Sequence, residues 1–140
     1  MTDFSAQLLG RTEKALNAIL DRLLADIGVT EPQWVALTLT ITAGDAPVVA
    51  QIAHALKVDE AAARRRLDEL ADAGLVRVES GGGAVATEEG VARWQRVRAA
   101  TGPITQQLWG DLPEADLAAA GRVLTTVLAR ADAVFASTSA

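Results

Sequence analysis

At 140 residues, half of them hydrophobic and with a mean hydropathy of +0.20, the chain is long enough for one domain with a core and too apolar for disorder. Its net charge of −5 and pI of about 4.8 argue against a nonspecific nucleic-acid binder, whose affinity comes from many phosphate contacts, but leave room for a local basic surface. Cysteine is absent and His54 is the only histidine, which excludes disulfides and thiolate chemistry; neither an enzyme nor a metal or cofactor protein is expected.

The N-terminus lacks a basic segment before an apolar one, and no apolar run approaches the roughly 18 residues of a membrane span, so a cytoplasmic protein without a membrane partner is expected. Apolar residues at near-helical spacing predict a long first helix over residues 4–27, with Gly28 as its stop. Thr30-Glu31-Pro32-Gln33 then has the hydroxyl, the first-turn proline and the side-chain amide of a capping box. The β-branched run Thr38, Thr40, Ile41, Thr42 also suits a strand, but the cap and the spacing of Trp34, Leu37 and Ile41 favour a helix. Residues 43–47, Ala-Gly-Asp-Ala-Pro, break it.

Val48 to Leu56 is a short helix, Lys57-Val58 a turn, and Asp59 the cap of a helix over residues 60–73 that Gly74 ends. Residues 75–78 and 84–86 form a hairpin across Ser80-Gly81-Gly82-Gly83. Thr87 caps a fifth helix, with a break or kink expected near Thr101 because Gly102-Pro103 follows. Residues 109–113 connect it to a last helix whose inward face is expected to carry Leu117, Leu124, Val127, Leu128, Val134 and Phe135; residues 137–140 should fray.

The expected fold is mainly α: six helices and a short two-stranded wing, with the pair over residues 48–73 forming a winged helix-turn-helix. The outer helices are long and apolar, and one domain of this size does not easily cover both. They are therefore expected to form a dimerisation region with a second copy.

Several stretches are similar to the MarR family of winged-helix transcriptional regulators. Thr30-Glu31-Pro32-Gln33-Trp34-Val35-Ala36-Leu37 resembles one family segment, and Val49-Ala50-Gln51-Ile52-Ala53-His54-Ala55-Leu56 another. The run from Ala63 through Arg64-Arg65-Arg66-Leu67 to Gly74-Leu75-Val76 resembles the recognition helix, and Thr87-Glu88-Glu89-Gly90 the segment after the wing. The resemblance covers essentially the whole chain. It implies one regulator domain over residues 1–140, with a DNA-binding lobe at about 31–101 and dimerisation helices at about 4–28 and 103–136. It further implies a homodimer on a palindromic operator in double-stranded DNA, acting as a repressor and released by a small aromatic or phenolic effector. The family's wing carries an Asp and an Arg near its tip, whereas residues 79–83 here hold no basic residue.

With Ala63, Leu67 and Leu70 inward, a 100° step per residue puts Arg65 opposite the core, with Arg64 and Arg66 on its flanks. Arg65 is thus the candidate for a base edge, and Arg64 and Arg66 for phosphate, with small Ala61 and Ala62 beside them. Gln51 and Arg77 are further candidates for backbone contacts. Between Lys57 and Arg77, however, five acidic residues offset five basic ones, so the run also reads as a solvated, ion-paired face. This keeps open an alternative, a winged-helix protein–protein interaction module that has lost DNA binding. An effector pocket would be lined by Leu16, Leu20, Trp34, Leu37, Ile41 and Trp94.

Overall fold

The computed structural model describes residues 3–43 and 47–138. Among them are six helices and two strands in the order α1 (Ala6–Ala25), α2 (Glu31–Thr42), α3 (Val48–Leu56), α4 (Glu60–Asp72), β1 (Val76–Val78), β2 (Ala84–Ala86), α5 (Glu88–Trp109) and α6 (Glu114–Thr138). The expected breaker at residues 44–46 and the last two residues of the expected fraying tail fall outside the described residues. The chain divides between Thr101 and Gly102 into two compact units.

The first unit is built from the caps inward. Ser5 opens α1 by accepting from the Leu8 N–H, two residues later than the apolar spacing suggested. Leu24, Ile27 and Val29 at its far end are buried, and Gly28 takes the left-handed backbone (φ +69°) that lets the chain turn between them. The α2 capping box is complete: the Thr30 hydroxyl accepts from the Gln33 N–H at 3.3 Å, and the Gln33 side-chain Oε1 accepts from the Thr30 N–H at 3.0 Å. The β-branched run is helical, and Thr40 and Thr42 donate their hydroxyls back to the carbonyls of Ala36 and Thr38.

The core gathers Leu24, Leu37, Ile52, Leu67, Leu70 and Leu75, each fully enclosed, and no polar or charged residue is buried among the described residues. It lies where α2, α3 and α4 meet. The hairpin pairs antiparallel with Val76 opposite Ala86, Arg77 opposite Val85 and Val78 opposite Ala84. Val76 is buried and Val78 exposed, while Ala84 and Ala86 of the return strand pack against the core half-buried.

Three expectations are corrected. Of the break or kink expected near Thr101, the break does not occur: α5 runs through Pro103 to Trp109. Proline removes one N–H and crowds one carbonyl, and the bonds on either side of that gap keep the helix continuous. In the second unit, α6 runs to Thr138 instead of fraying at Ser137, whose hydroxyl, like that of Thr138, donates to a carbonyl of the preceding turn. The residues expected inward on α6 are not buried: Leu124, Leu128, Val134 and Phe135 are 45%, 60%, 62% and 48% exposed. A single chain leaves this apolar face uncovered.

Candidate nucleic-acid interface

The helix-turn-helix is closed by Lys57, which adopts the left-handed conformation (φ 58°, ψ 46°) without being glycine. Its N–H donates to the Ala53 and His54 carbonyls and its ammonium to the His54 carbonyl at 2.9 Å, which fixes the end of α3. Two residues on, Asp59 caps α4 by accepting from the Ala62 N–H at 2.8 Å. Ala63, Leu67 and Leu70 anchor α4 in the core, which leaves Glu60, Ala61, Arg64, Arg65 and Asp68 exposed.

The three arginines have different surroundings. Arg64 meets Glu60 at 3.6 Å, one helical turn away, with both side chains more than half exposed; such a pair contributes little and opens readily. Arg66 is turned into the fold, its side chain 29% exposed, and it meets Glu69 at 3.2 Å. Glu69 also accepts from the Gln33 side-chain amide at 3.0 Å, so Glu69 joins α4 to the capping box of α2 and Arg66 pairs with it there. This differs from the flanking, phosphate-facing position expected of Arg66. Arg65 is exposed and, among the described residues, has no ion-pair or hydrogen-bond partner. Arg77, on the outer strand of the wing, has none either. Of the remaining candidates, Ala61 is exposed, and Ala62 and Gln51 are half-buried. Beside Gln51 lies the N-terminus of α3, where Pro47 supplies no side-chain cap and leaves backbone N–H groups open.

The wing is short and tight. The Glu79 N–H donates to the Gly83 carbonyl at 2.8 Å, the Gly82 N–H donates to the Glu79 carbonyl at 3.0 Å, and Gly82 (φ +86°) makes the reversal. Between the wing, α4 and the start of α3 runs a groove of about 650 Å³, lined by Val48, Ala50, Glu60, Arg64, Glu79 and Val85 among others. A second cavity of about 320 Å³ lies on the other side of α4, where Arg65 and Arg66 meet Glu31, Pro32, Leu56 and Val58. Burial, with Asp21 and Glu13 nearby, pushes the Glu31 carboxyl above its ordinary value.

A junction that sequence reasoning recognised only as a helix cap ties these parts together. The Thr87 hydroxyl accepts from the Gly90 N–H at 3.0 Å and donates to the Gly74 carbonyl at 2.7 Å, and the Thr87 N–H donates to the Leu75 carbonyl at 3.0 Å. The end of α4, the start of β1 and the start of α5 therefore share one fastening. The bonds from Thr87 to residues 74 and 75 carry no local sequence signal. Arg93 is a second such tie. It bonds Glu89 at 2.7 Å and the Ile27 carbonyl at 3.1 Å, holding α5 to the end of α1.

The residues expected to line an effector pocket are only partly together. Trp34 and Trp94 stack with centroids 6.5 Å apart, the Trp94 indole N–H donates to the Thr38 hydroxyl at 3.1 Å, and the Arg98 guanidinium lies 5.5 Å over the Trp94 ring. Leu20 and Ile41 pack beside the same core, Leu37 is fully enclosed, and Leu16 is 38% exposed. None of the six lines the two cavities above.

A helix pair across a tight turn, a supporting helix and a hairpin wing define a winged helix-turn-helix protein. The particular form is the MarR-family winged-helix fold. The transcriptional regulator PA3341 superposes with a TM-score of 0.76 at 26% identity, over 92% of this chain and 98% of that one. The reduced form of MarR from E. coli gives 0.70 at 22% identity, over 91% and 96%. The Mycobacterium tuberculosis MarR family protein Rv2887, in complex with p-aminosalicylic acid, gives 0.66 at 22% identity, over 89% and 98%. No protein-family model matches the chain, and none of the curated proteins does. No helix among the described residues is long and apolar enough to cross a membrane.

Proposed function

We propose that the protein is a sequence-specific, DNA-binding transcriptional regulator, working as a homodimeric repressor in the cytoplasm. The observation that carries this reading is Arg65: an exposed, unpartnered guanidinium on the outer face of the second helix of a helix-turn-helix in a MarR-type fold. In this reading α4 enters the major groove and Arg65 takes a guanine edge. Arg64 exchanges its weak bond to Glu60 for a phosphate, and the open N-terminus of α3 with Gln51 holds the backbone. The lobe is residues 31–101, and residues 4–28 and 103–136 supply the dimer contacts; the uncovered face of α6 supports that assignment.

A small aromatic acid is the proposed releasing ligand. The p-aminosalicylic acid bound by Rv2887 supports the class, and the stacked indoles with Arg98 and Thr38 beside them supply apolar faces and polar anchors of the right kind. The test is fluorescence anisotropy with DNA from the protein's own promoter region against random DNA across salt concentrations. Specific, salt-dependent binding is expected, and Arg65→Ala should weaken it about fivefold to a hundredfold, one lost bidentate base contact. Equal affinity for both DNAs at low salt refutes the reading. It then favours a protein-interaction module, for which the wing tip without a cation is the supporting observation.

A further inference from the structure

In the DNA-binding reading, a phosphate backbone that follows α4 passes the groove between α4 and the wing. Its α4 wall carries Glu60 and Arg64, and its wing wall carries Glu79. Arg64, the groove's one cation, is engaged by Glu60 at 3.6 Å. Among the described residues the Glu79 carboxylate has neither a cation nor a hydrogen-bond donor, and Arg77, the only cation on the wing, does not line the groove. The tip places Glu79 by two backbone hydrogen bonds across the reversal at Gly82. A carboxylate in that position adds negative potential where the partner is itself negative, and a Debye length of about 8–10 Å at ordinary salt does not screen it out at this range.

We infer that Glu79 makes the wing of this protein an electrostatic barrier to DNA, so that the wing limits binding instead of contributing to it and affinity rests on α4 and the start of α3. The inference rests on the DNA-binding reading above. It assigns Glu79 the role of a residue that sets how much sequence-independent binding the protein tolerates. Weak general affinity confines an acidic chain to sites where base contacts supply the difference.

The experiment measures dissociation constants of the full-length wild type, Glu79→Gln, Glu79→Lys and Arg65→Ala on promoter and random DNA at several salt concentrations. Glu79→Gln should tighten binding to both DNAs about threefold to tenfold at low salt, the range expected for one like charge at close approach. Glu79→Lys should tighten it further and steepen the dependence of log K on log salt by about 0.9, one added phosphate contact. If Glu79→Gln binds no better than the wild type while Arg65→Ala still loses promoter binding, the barrier is refuted and the DNA-binding reading stands. If the wild type binds no DNA, a gain by Glu79→Lys upholds the barrier, and no gain overturns both.

Discussion

Replacing Gly90 with alanine tests how closely the wing and the recognition helix are held against α5. Gly90 is a buried residue in the first turn of α5. A Cβ there would lie 2.0 Å from the Leu75 carbonyl oxygen and 3.0 Å from its carbon. That oxygen is backbone, it belongs to a fully enclosed residue between α4 and β1, and it already accepts from the Thr87 N–H at 3.0 Å. It has to retreat by more than an ångström (about 3.4 Å being ordinary contact), which breaks the Thr87 bond and shifts the strand. Overpacking of this kind costs about 1–3 kcal/mol, and the lost hydrogen bond about 1 kcal/mol. The better helix propensity of alanine returns up to about 1 kcal/mol. The net expectation is a loss of about 2–3 kcal/mol, which lowers the urea midpoint by roughly 1–2 M at fixed protein concentration. Because the shift falls between α4 and the wing, DNA affinity should fall as well under conditions where the variant remains folded. A midpoint within about 0.3 M of the wild type refutes the close approach of α5 to Leu75.

Two further substitutions address other parts of the molecule. The raised Glu31 carboxyl binds its proton more tightly in the folded chain than in the unfolded one. The ionised form therefore destabilises the fold above its folded pKa, and that penalty disappears as the pH falls below the ordinary value of 4.5. Glu31→Gln should consequently raise stability at pH 7 and give no advantage near pH 4 in chemical denaturation; a gain that is the same at both pH values contradicts the cause assigned. Leu128→Asp with Val134→Asp charges the exposed face of α6. It should weaken self-association at least a hundredfold in sedimentation equilibrium, since each buried aliphatic side chain contributes about 1.5–3 kcal/mol. An unchanged dimer excludes this face from the interface.

Local chemistry made much of the fold legible. The capping box at Thr30, the Asp59 cap and both ends of α3 need only neighbouring residues, and they stand where the sequence placed them. What the sequence left open depends on distant groups. The proline at 103 breaks a helix by local rules, and only the continuity of the hydrogen bonds around it shows that it does not here. The inward face assigned to α6 was a correct recognition of an apolar stripe, but periodicity does not say whether the same chain covers it. In the candidate interface, the helical wheel separated Arg65 from its neighbours correctly. The ion-paired alternative included Glu69, three residues from Arg66, but the bond that Glu69 accepts from Gln33, 36 residues away, had no local signal.

The shared fastening at Thr87 has a consequence for how a signal travels. One hydroxyl and one N–H of Thr87 bind Gly74 and Leu75, the link between α4 and the wing, to the start of α5. Because these two residues join α4 to the wing, a tilt of the start of α5 pulls on the point that both elements share.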